Sequence, residues 1–228
     1  MTEQEPVAII TCGGFATRMG GEPKYLLPVT ESDRVIDLAL DPITRQPELV
    51  TRHVILASGA HREAVEDYAE VLRGRHPSIT FDISHSNPEG QFHAIAHAAE
   101  KYGVEGNVII MNADEIVPGL DLVSALRVHT DAHHSITRVV TRASNEGTSS
   151  LNVDEEDRAT FSQTNFSVYA TGVIIISPYA MQIAKQCRSS QEFWDIMTTT
   201  HQIHVIICEA SLNVNTPDDL EEARRRFS

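Results

Sequence analysis

An α/β fold of three layers, with helices on both faces of a mixed, mostly parallel central sheet, is what this sequence predicts. Through residues 1–134, short apolar runs alternate with helix-like segments. That is the pattern of strands buried on both faces by crossover helices. Beyond residue 134, strand-like runs follow one another with few helices between them, which adds antiparallel strands joining or flanking the sheet.

Each element follows in order. Val7–Thr11 is an apolar, β-branched run that ends in Gly13-Gly14 and reads as the first strand. Arg34–Leu40 is helix-like, His53–Ala57 is a second strand, and Arg62–Arg73 a helix. Ile79–Ile83 is a third strand, followed by an alanine-rich helix over Gln91–Tyr102. Val108–Met111 is a fourth strand and Leu120–His129 a helix. Then come the strand-like runs Ile136–Thr141, Ser149–Val153, Ala159–Ser162 and Val168–Ser177, and helices over Pro178–Gln186 and Ser190–Thr199. Val205–Cys208 is a last strand. The final helix opens with Thr216 as N-cap, Pro217 at the first helical position and Asp219 closing a capping box. Nothing resembles a linker, so residues 1–228 read as one domain.

Composition narrows the function classes. Of 228 residues, 41% are hydrophobic and 22% charged, which suits a packed globular chain and argues against disorder. The longest apolar runs, such as Val173–Ile176, are far too short to cross a bilayer. The acidic start Met1–Pro6 lacks the basic and apolar regions of a signal peptide. The net charge of −14 opposes binding to nucleic acid or to an anionic membrane. Cys12, Cys187 and Cys208 are too few and scattered for a disulfide framework or a zinc site, and a cytoplasmic location is expected.

The informative segment runs from Gly13 to Lys24, directly after the first strand. Parallel α/β sheets bind ligands outside the carboxyl ends of their strands. Glycines let backbone N–H groups approach a phosphate. Thr17 adds a hydroxyl, Arg18 a planar fork and Lys24 a compact charge. The spacing is neither a P-loop nor the dinucleotide G-x-G-x-x-G pattern.

Gly14-Phe15-Ala16-Thr17-Arg18-Met19, then Pro23-Lys24-Tyr25-Leu26-Leu27-Pro28-Val29, resembles the signature of the nucleotidyltransferases of Rossmann-like, GT-A-like fold, the NDP-sugar pyrophosphorylases. Ala16 stands where that family usually has a second glycine. The likeness continues in the family's order. Asn87-Pro88-Glu89-Gly90 resembles the base-contacting segment, and His85 falls where relatives place a base-reading glutamine. Met111–Glu115 resembles the segment ending in the metal-binding aspartate, Ala170-Thr171-Gly172 the sugar segment, and Leu212–Leu220 the segment supplying a second metal ligand.

The resemblance implies transfer of a nucleotidyl group from a nucleoside triphosphate to a sugar 1-phosphate or similar phosphomonoester, releasing pyrophosphate. Arg18, Lys24 and Asp114 would be catalytic. Cys12, Gly13, Gly14, Phe15, Ala16, Thr17, His85, Pro88, Gly90 and Asn112 would bind the nucleotide, and Glu115, Thr171 and Gly172 the acceptor. Mg²⁺ would be held by Asp114 with Asn213 or Asn215, which point the same way on a strand-like segment. The partners are a triphosphate and a phosphomonoester, without nucleic acid or membrane, and a homodimer is compatible with the resemblance.

One departure bears on the acceptor. Sugar-specific relatives carry Glu-Lys-Pro, whose lysine holds the sugar phosphate, whereas this chain reads Phe161-Ser162-Gln163-Thr164-Asn165-Phe166. A cytidylyl- or guanylyltransferase for a non-sugar phosphate, or a non-catalytic nucleotide-binding regulatory domain, are the alternatives. A GT-A glycosyltransferase is disfavoured, because Asp114-Glu115-Ile116 is not a DxD motif. His93 and His97, four apart, and the Asp154–Asp157 run read as structural and solvated groups rather than metal sites.

Overall fold

The computed structural model describes residues 4–13, 20–86, 90–142, 150–153, 158–161, 168–200 and 203–228. Among these, the strands are β1 (Val7–Cys12), β2 (His53–Ser58), β3 (Thr80–His85), β4 (Val108–Asn112), β5 (Glu115–Ile116), β6 (Ile136–Thr141), β7 (Ser150–Val153), β8 (Arg158–Phe161), β9 (Val168–Ile176), β10 (Ile203–Cys208) and β11 (Leu212–Asn213). The helices are α1 (Val35–Thr44), α2 (Pro47–Val50), α3 (Arg62–Arg75), α4 (Gln91–Lys101), α5 (Leu122–Asp131), α6 (Pro178–Gln186), α7 (Ser190–Thr200) and α8 (Pro217–Phe227).

The main sheet has the order β3-β2-β1-β4-β9-β6-β10-β8-β7. Strands β3, β2, β1 and β4 pair in parallel, as do β6 and β10. β9 runs antiparallel between β4 and β6, so the sheet is mixed and its central part mostly parallel, as the sequence predicts. Helices cover both faces. One face carries the core of Ile9, Ile110, Ile174 and Val140 under α4, α6 and α7. The other carries Ile10, Leu56, Met111 and Ile175 under α1, α3 and α5. The residues on each strand alternate between these two cores, as the period of two requires.

Three details differ from the sequence reading. α1 continues past Leu40 to Thr44 with Pro42 inside it, because Leu40 and Ile43 are fully buried and that packing outweighs the lost backbone donor. The short α2 and the two-residue pair β5–β11 were not expected. β5–β11 forms a separate antiparallel ribbon, with Leu212 opposite Ile116 and Asn213 opposite Glu115. A third apolar cluster of Val29, Val35, Ile116, Leu212, Val214 and Leu220 fixes that ribbon beneath α8. The Thr216–Asp219 capping box forms as predicted. The Asp154–Asp157 run lies outside the described residues.

Candidate active site

The site builds up at the carboxyl ends of β1 and β4. These strands are neighbours with Thr11 opposite Asn112, so whatever follows them emerges side by side. Lys24 opens a 3₁₀ turn over Lys24–Leu26. Tyr25 and Leu26 are buried in the core, and that anchor aims Lys24 back at the sheet edge. Its Nζ forms an ion pair with Asp114 and donates to Asn215 Oδ1 at 2.5 Å. The Val214 N–H donates to the Asp114 carbonyl at 2.8 Å, and Asp219 accepts from the Asn215 N–H at 2.9 Å. The cap of α8 therefore holds the last segment against the fourth strand. Residues 191 positions apart in sequence meet here because the short β5–β11 ribbon brings the chain end back.

A second polar group lies on the α4 side. Asn112 Oδ1 accepts from Thr11 Oγ1 at 2.9 Å and from Gln91 Nε2 at 2.6 Å. Gln91 is the first residue of α4, and Gly90 before it has φ 156°, a value that glycine alone adopts without strain. Glu115 Oε2 accepts from the Gly172 N–H at 2.7 Å and from Asn112 Nδ2 at 3.4 Å. A Cβ on residue 172 would fall 2.2 Å from Asn112 Nδ2 and 2.7 Å from Glu115 Oε2, so only glycine leaves this cradle intact.

The two adjacent carboxyls differ. Asp114 lies at the edge beside a cation, with its side chain 19% exposed. Glu115 is 3% exposed; burial pushes its pKa up to about 7, partly offset by the Gly172 N–H and reinforced by the Asp114 charge. Arg138 on β6 is also buried, its Cζ 4.7 Å from the centroid of the Trp194 ring. Burial lowers its pKa to about 10, while the charge of Glu115 raises it. It remains cationic at neutral pH.

The other expected residues are placed as follows. Gly13 is exposed at the end of β1. Cys12 is fully buried with its Sγ directed at the Ile10 carbonyl. Burial and the Asp114 charge push its thiol pKa up, so it is an inert buried group. His85 Nε2 lies 2.7 Å from Glu66 Oε1, and its Nδ1 is buried with no hydrogen-bond partner. Thr171 is on the opposite face from Gly172; its hydroxyl donates to the Val139 carbonyl at 2.9 Å and accepts from the Val173 N–H. Asn213 Oδ1 is buried and accepts no hydrogen bond. Gly14, Phe15, Ala16, Thr17, Arg18 and Pro88 lie outside the described residues. Gln91 and Arg138 belong to the site region and were not anticipated. An arginine in the middle of a strand-like run of Ile, Val and Thr was the available signal.

Residues 8–198 match the MobA-like NTP transferase domain. The chain belongs to that family. It is a nucleotidyltransferase, acting on a nucleoside triphosphate and a phosphate acceptor. No curated protein matches its sequence. Solved structures share the fold of this NTP transferase at low identity. A putative glucose-1-phosphate thymidylyltransferase from Bacillus anthracis, in complex with a sucrose, superposes with TM-score 0.81 at 14% identity, over 97% of this chain and 94% of that one. HddC from Yersinia pseudotuberculosis, complexed with GMP-PN, gives 0.77 at 17% identity, over 99% and 100%. The inositol-1-phosphate CTP transferase from T. maritima gives 0.76 at 14% identity, over 97% and 96%.

The described residues contain no cluster of three His, Cys, Asp or Glu suited to a metal. The candidate donors are the Asp114 carboxylate and the amide oxygens of Asn213 and Asn215. This all-oxygen set suits a hard divalent cation such as Mg²⁺. The buried, unpartnered Asn213 Oδ1, and a lysine ammonium bridging Asp114 and Asn215, both fit a place for positive charge. His97 is exposed with Nδ1 3.1 Å from Ser84 Oγ. Among the described residues, no helix is long and apolar enough to cross a membrane.

Proposed function

We propose that this protein transfers the nucleotidyl group of a nucleoside triphosphate to a sugar 1-phosphate or similar small phosphomonoester, with Mg²⁺, and releases pyrophosphate. Residues 1–228 then act as one nucleotidyltransferase domain, in the cytoplasm. The observation that carries the reading is the Lys24–Asp114–Asn215 constellation at the carboxyl edge. An acceptor phosphate oxygen attacks the α-phosphorus. A new oxygen–phosphorus bond forms, the bond to the β-phosphate oxygen breaks, and its electron pair leaves on pyrophosphate. The acceptor is already an anionic nucleophile, so positioning and charge stabilisation suffice.

In this reading Arg18 and Lys24 hold the triphosphate and stabilise charge on the leaving pyrophosphate. Gly13 through Thr17 supply backbone donors. His85, Pro88 and Gly90 border the base, and Asn112, tied to Thr11 and Gln91, supports the nucleotide. Glu115 and Gly172, with Thr171 behind them, shape the acceptor side. A Mg²⁺ ion held by Asp114 and Asn213 or Asn215 would neutralise phosphate charge and align the reacting oxygens.

A non-sugar acceptor is the second reading. The absence of the Glu-Lys-Pro lysine favours it, and a fold neighbour is named for inositol 1-phosphate and CTP.

The test crosses UTP, dTTP, CTP, GTP and ATP against sugar 1-phosphates and small phosphomonoesters with Mg²⁺, and follows pyrophosphate. Release that needs one pair of substrates is expected. A triphosphate that binds without release for any acceptor points instead to a nucleotide-binding regulatory domain.

A further inference from the structure

The last residues of β1, β2 and β3 stand in one row, with Cys12 opposite Ser58 and Ser58 opposite His85. Along each strand, side chains two residues apart share a face. Val54 and Leu56 of β2, and Phe81 of β3, pack in the core beneath α3. Ser58 and His85 therefore project to that same side, at the carboxyl edge where parallel sheets bind ligands. His85 is two strand spacings from β1, about 10 Å. A nucleotide whose phosphates lie beside Gly13 can reach that far with its base.

This end of the sheet gathers polar atoms that nothing satisfies. Ser58 is 1% exposed. Its Oγ, His61 Nε2, His85 Nδ1 and Ser86 Oγ are all buried, with no hydrogen-bond partner among the described residues. The two segments that carry them are tied together by the Ser86 N–H, which donates to the Ser58 carbonyl at 3.3 Å. Buried polar groups are normally paired, and leaving one unpaired is unfavourable. Several in one place point to a polar ligand.

The His85 ring has its role assigned by α3. Its Nε2 is 2.7 Å from Glu66 Oε1, and a carboxylate only accepts, so Nε2 carries the proton. In the neutral ring Nδ1 is then a bare acceptor. A glutamine, the residue that the resemblance puts here in relatives, offers both a donor and an acceptor. His85 held by Glu66 offers an acceptor alone.

We propose that Glu66 is a positioning residue for nucleobase selection: by keeping the proton on His85 Nε2, it makes Nδ1 an acceptor that reads an N–H of the base. The triphosphate chosen is the one whose base presents an N–H there. This inference rests on the nucleotidyltransferase reading above.

The experiment records two-bond proton–nitrogen spectra of the full-length protein labelled with ¹⁵N-histidine. UTP, dTTP, CTP, GTP and ATP are added in turn with Mg²⁺, and His85→Gln identifies the His85 signals. The free protein should show the proton on Nε2. The triphosphate that supports pyrophosphate release should shift the Nδ1 signal and leave Nε2 nearly unmoved. In kinetics, Glu66→Met should raise the KM for that triphosphate about fivefold and shrink its preference over the other four, with kcat within twofold. In a His85→Gln background the same substitution should change the preference no further, an outcome that a merely structural role of Glu66 would not give. If Glu66→Met does not fold, the spectra of the wild type decide. A proton on Nδ1, an Nδ1 signal that the active triphosphate leaves in place, or a folded Glu66→Met with wild-type base preference would each overturn the proposal. With pyrophosphate still released, any of these removes the inference alone. A wild type that releases none from any substrate pair removes the functional reading and the inference together.

Discussion

At the carboxyl ends of β1 and β4, Lys24 lies between Asp114 and Asn215, and a buried glutamate and arginine stand behind them. At the amino ends of β6 and β10, three histidines gather instead. His129 is 1% exposed with its Nδ1 2.9 Å from Thr137 Oγ1. His134 and His204 stack with ring centroids 4.3 Å apart. Burial lowers the pKa of His129 to about 4, and the neighbouring histidines push it the same way. The His134 pKa falls for the same two reasons, burial and His204. At the amino edge burial thus disfavours the charged forms of His129 and His134, whereas the carboxyl edge keeps opposite charges in contact. Titratable residues crowded at a sheet edge do not by themselves make a site. What marks a site is charge retained in a place where burial opposes it.

The largest effect is expected at Lys24. Lys24→Met should lower kcat by about 10²–10³, with the KM for triphosphate changing much less, if the contact tightens as pyrophosphate departs. Steady-state kinetics separate the two, and a loss of affinity with kcat unchanged would make Lys24 a ground-state binder only.

The amino edge should instead respond in stability. The folded pKa of His129 is below its ordinary value of 6.5, so its contribution is full above pH 6.5. As pH falls toward 4, the unfolded chain takes up the proton first and up to about 3 kcal/mol is lost. Denaturant melts of His129→Asn against wild type should show a shallower fall between pH 6.5 and 4. Parallel pH curves for the two proteins would remove the contrast drawn between the edges.

Gly172→Ala probes the cradle at the carboxyl edge. The added Cβ must displace Asn112 or Glu115, which should cost about 1–3 kcal/mol and raise the acceptor KM more than the triphosphate KM. The smallest effect is expected for Thr216→Ala. Loss of the α8 cap should cost about 1 kcal/mol and loosen Asn215, seen as a lower melting temperature and a modest rise in the Mg²⁺ concentration needed for activity.

Much of this was legible in the sequence, for physical reasons that differ by element. β1, β2, β3 and β4 are apolar runs between amphipathic helices, and their burial on both faces is written in composition. The change of pattern after residue 134 predicts antiparallel strands joining the sheet, as β9 does, but its insertion between β4 and β6 was not legible, because an apolar run such as Val173–Ile176 carries no sign of which neighbours it takes. Nor was the β5–β11 ribbon, since two residues are too few for any periodicity. Lys24 and Asp114 were readable because each follows a strand or a glycine-rich turn where a charge would otherwise be out of place. Gln91 was hidden as an ordinary helix-start residue, and its tie to Asn112 and Thr11 exists only once α4 is laid across β1 and β4. Arg138 interrupted a run of Ile, Val and Thr, and its burial against Trp194 was legible only in the fold.

The central claim is that the carboxyl edge carries a nucleotidyl group from a triphosphate to a phosphate acceptor. The most direct measurement follows a radiolabel placed either in the α-phosphate or in the γ-phosphate of the active triphosphate. Wild type and Asp114→Ala are compared with acceptor and Mg²⁺. The account predicts that α-label enters the acceptor product, γ-label leaves in pyrophosphate, and Asp114→Ala abolishes both while remaining folded. Transfer of γ-label to the acceptor, or undiminished α-transfer in Asp114→Ala, would contradict it.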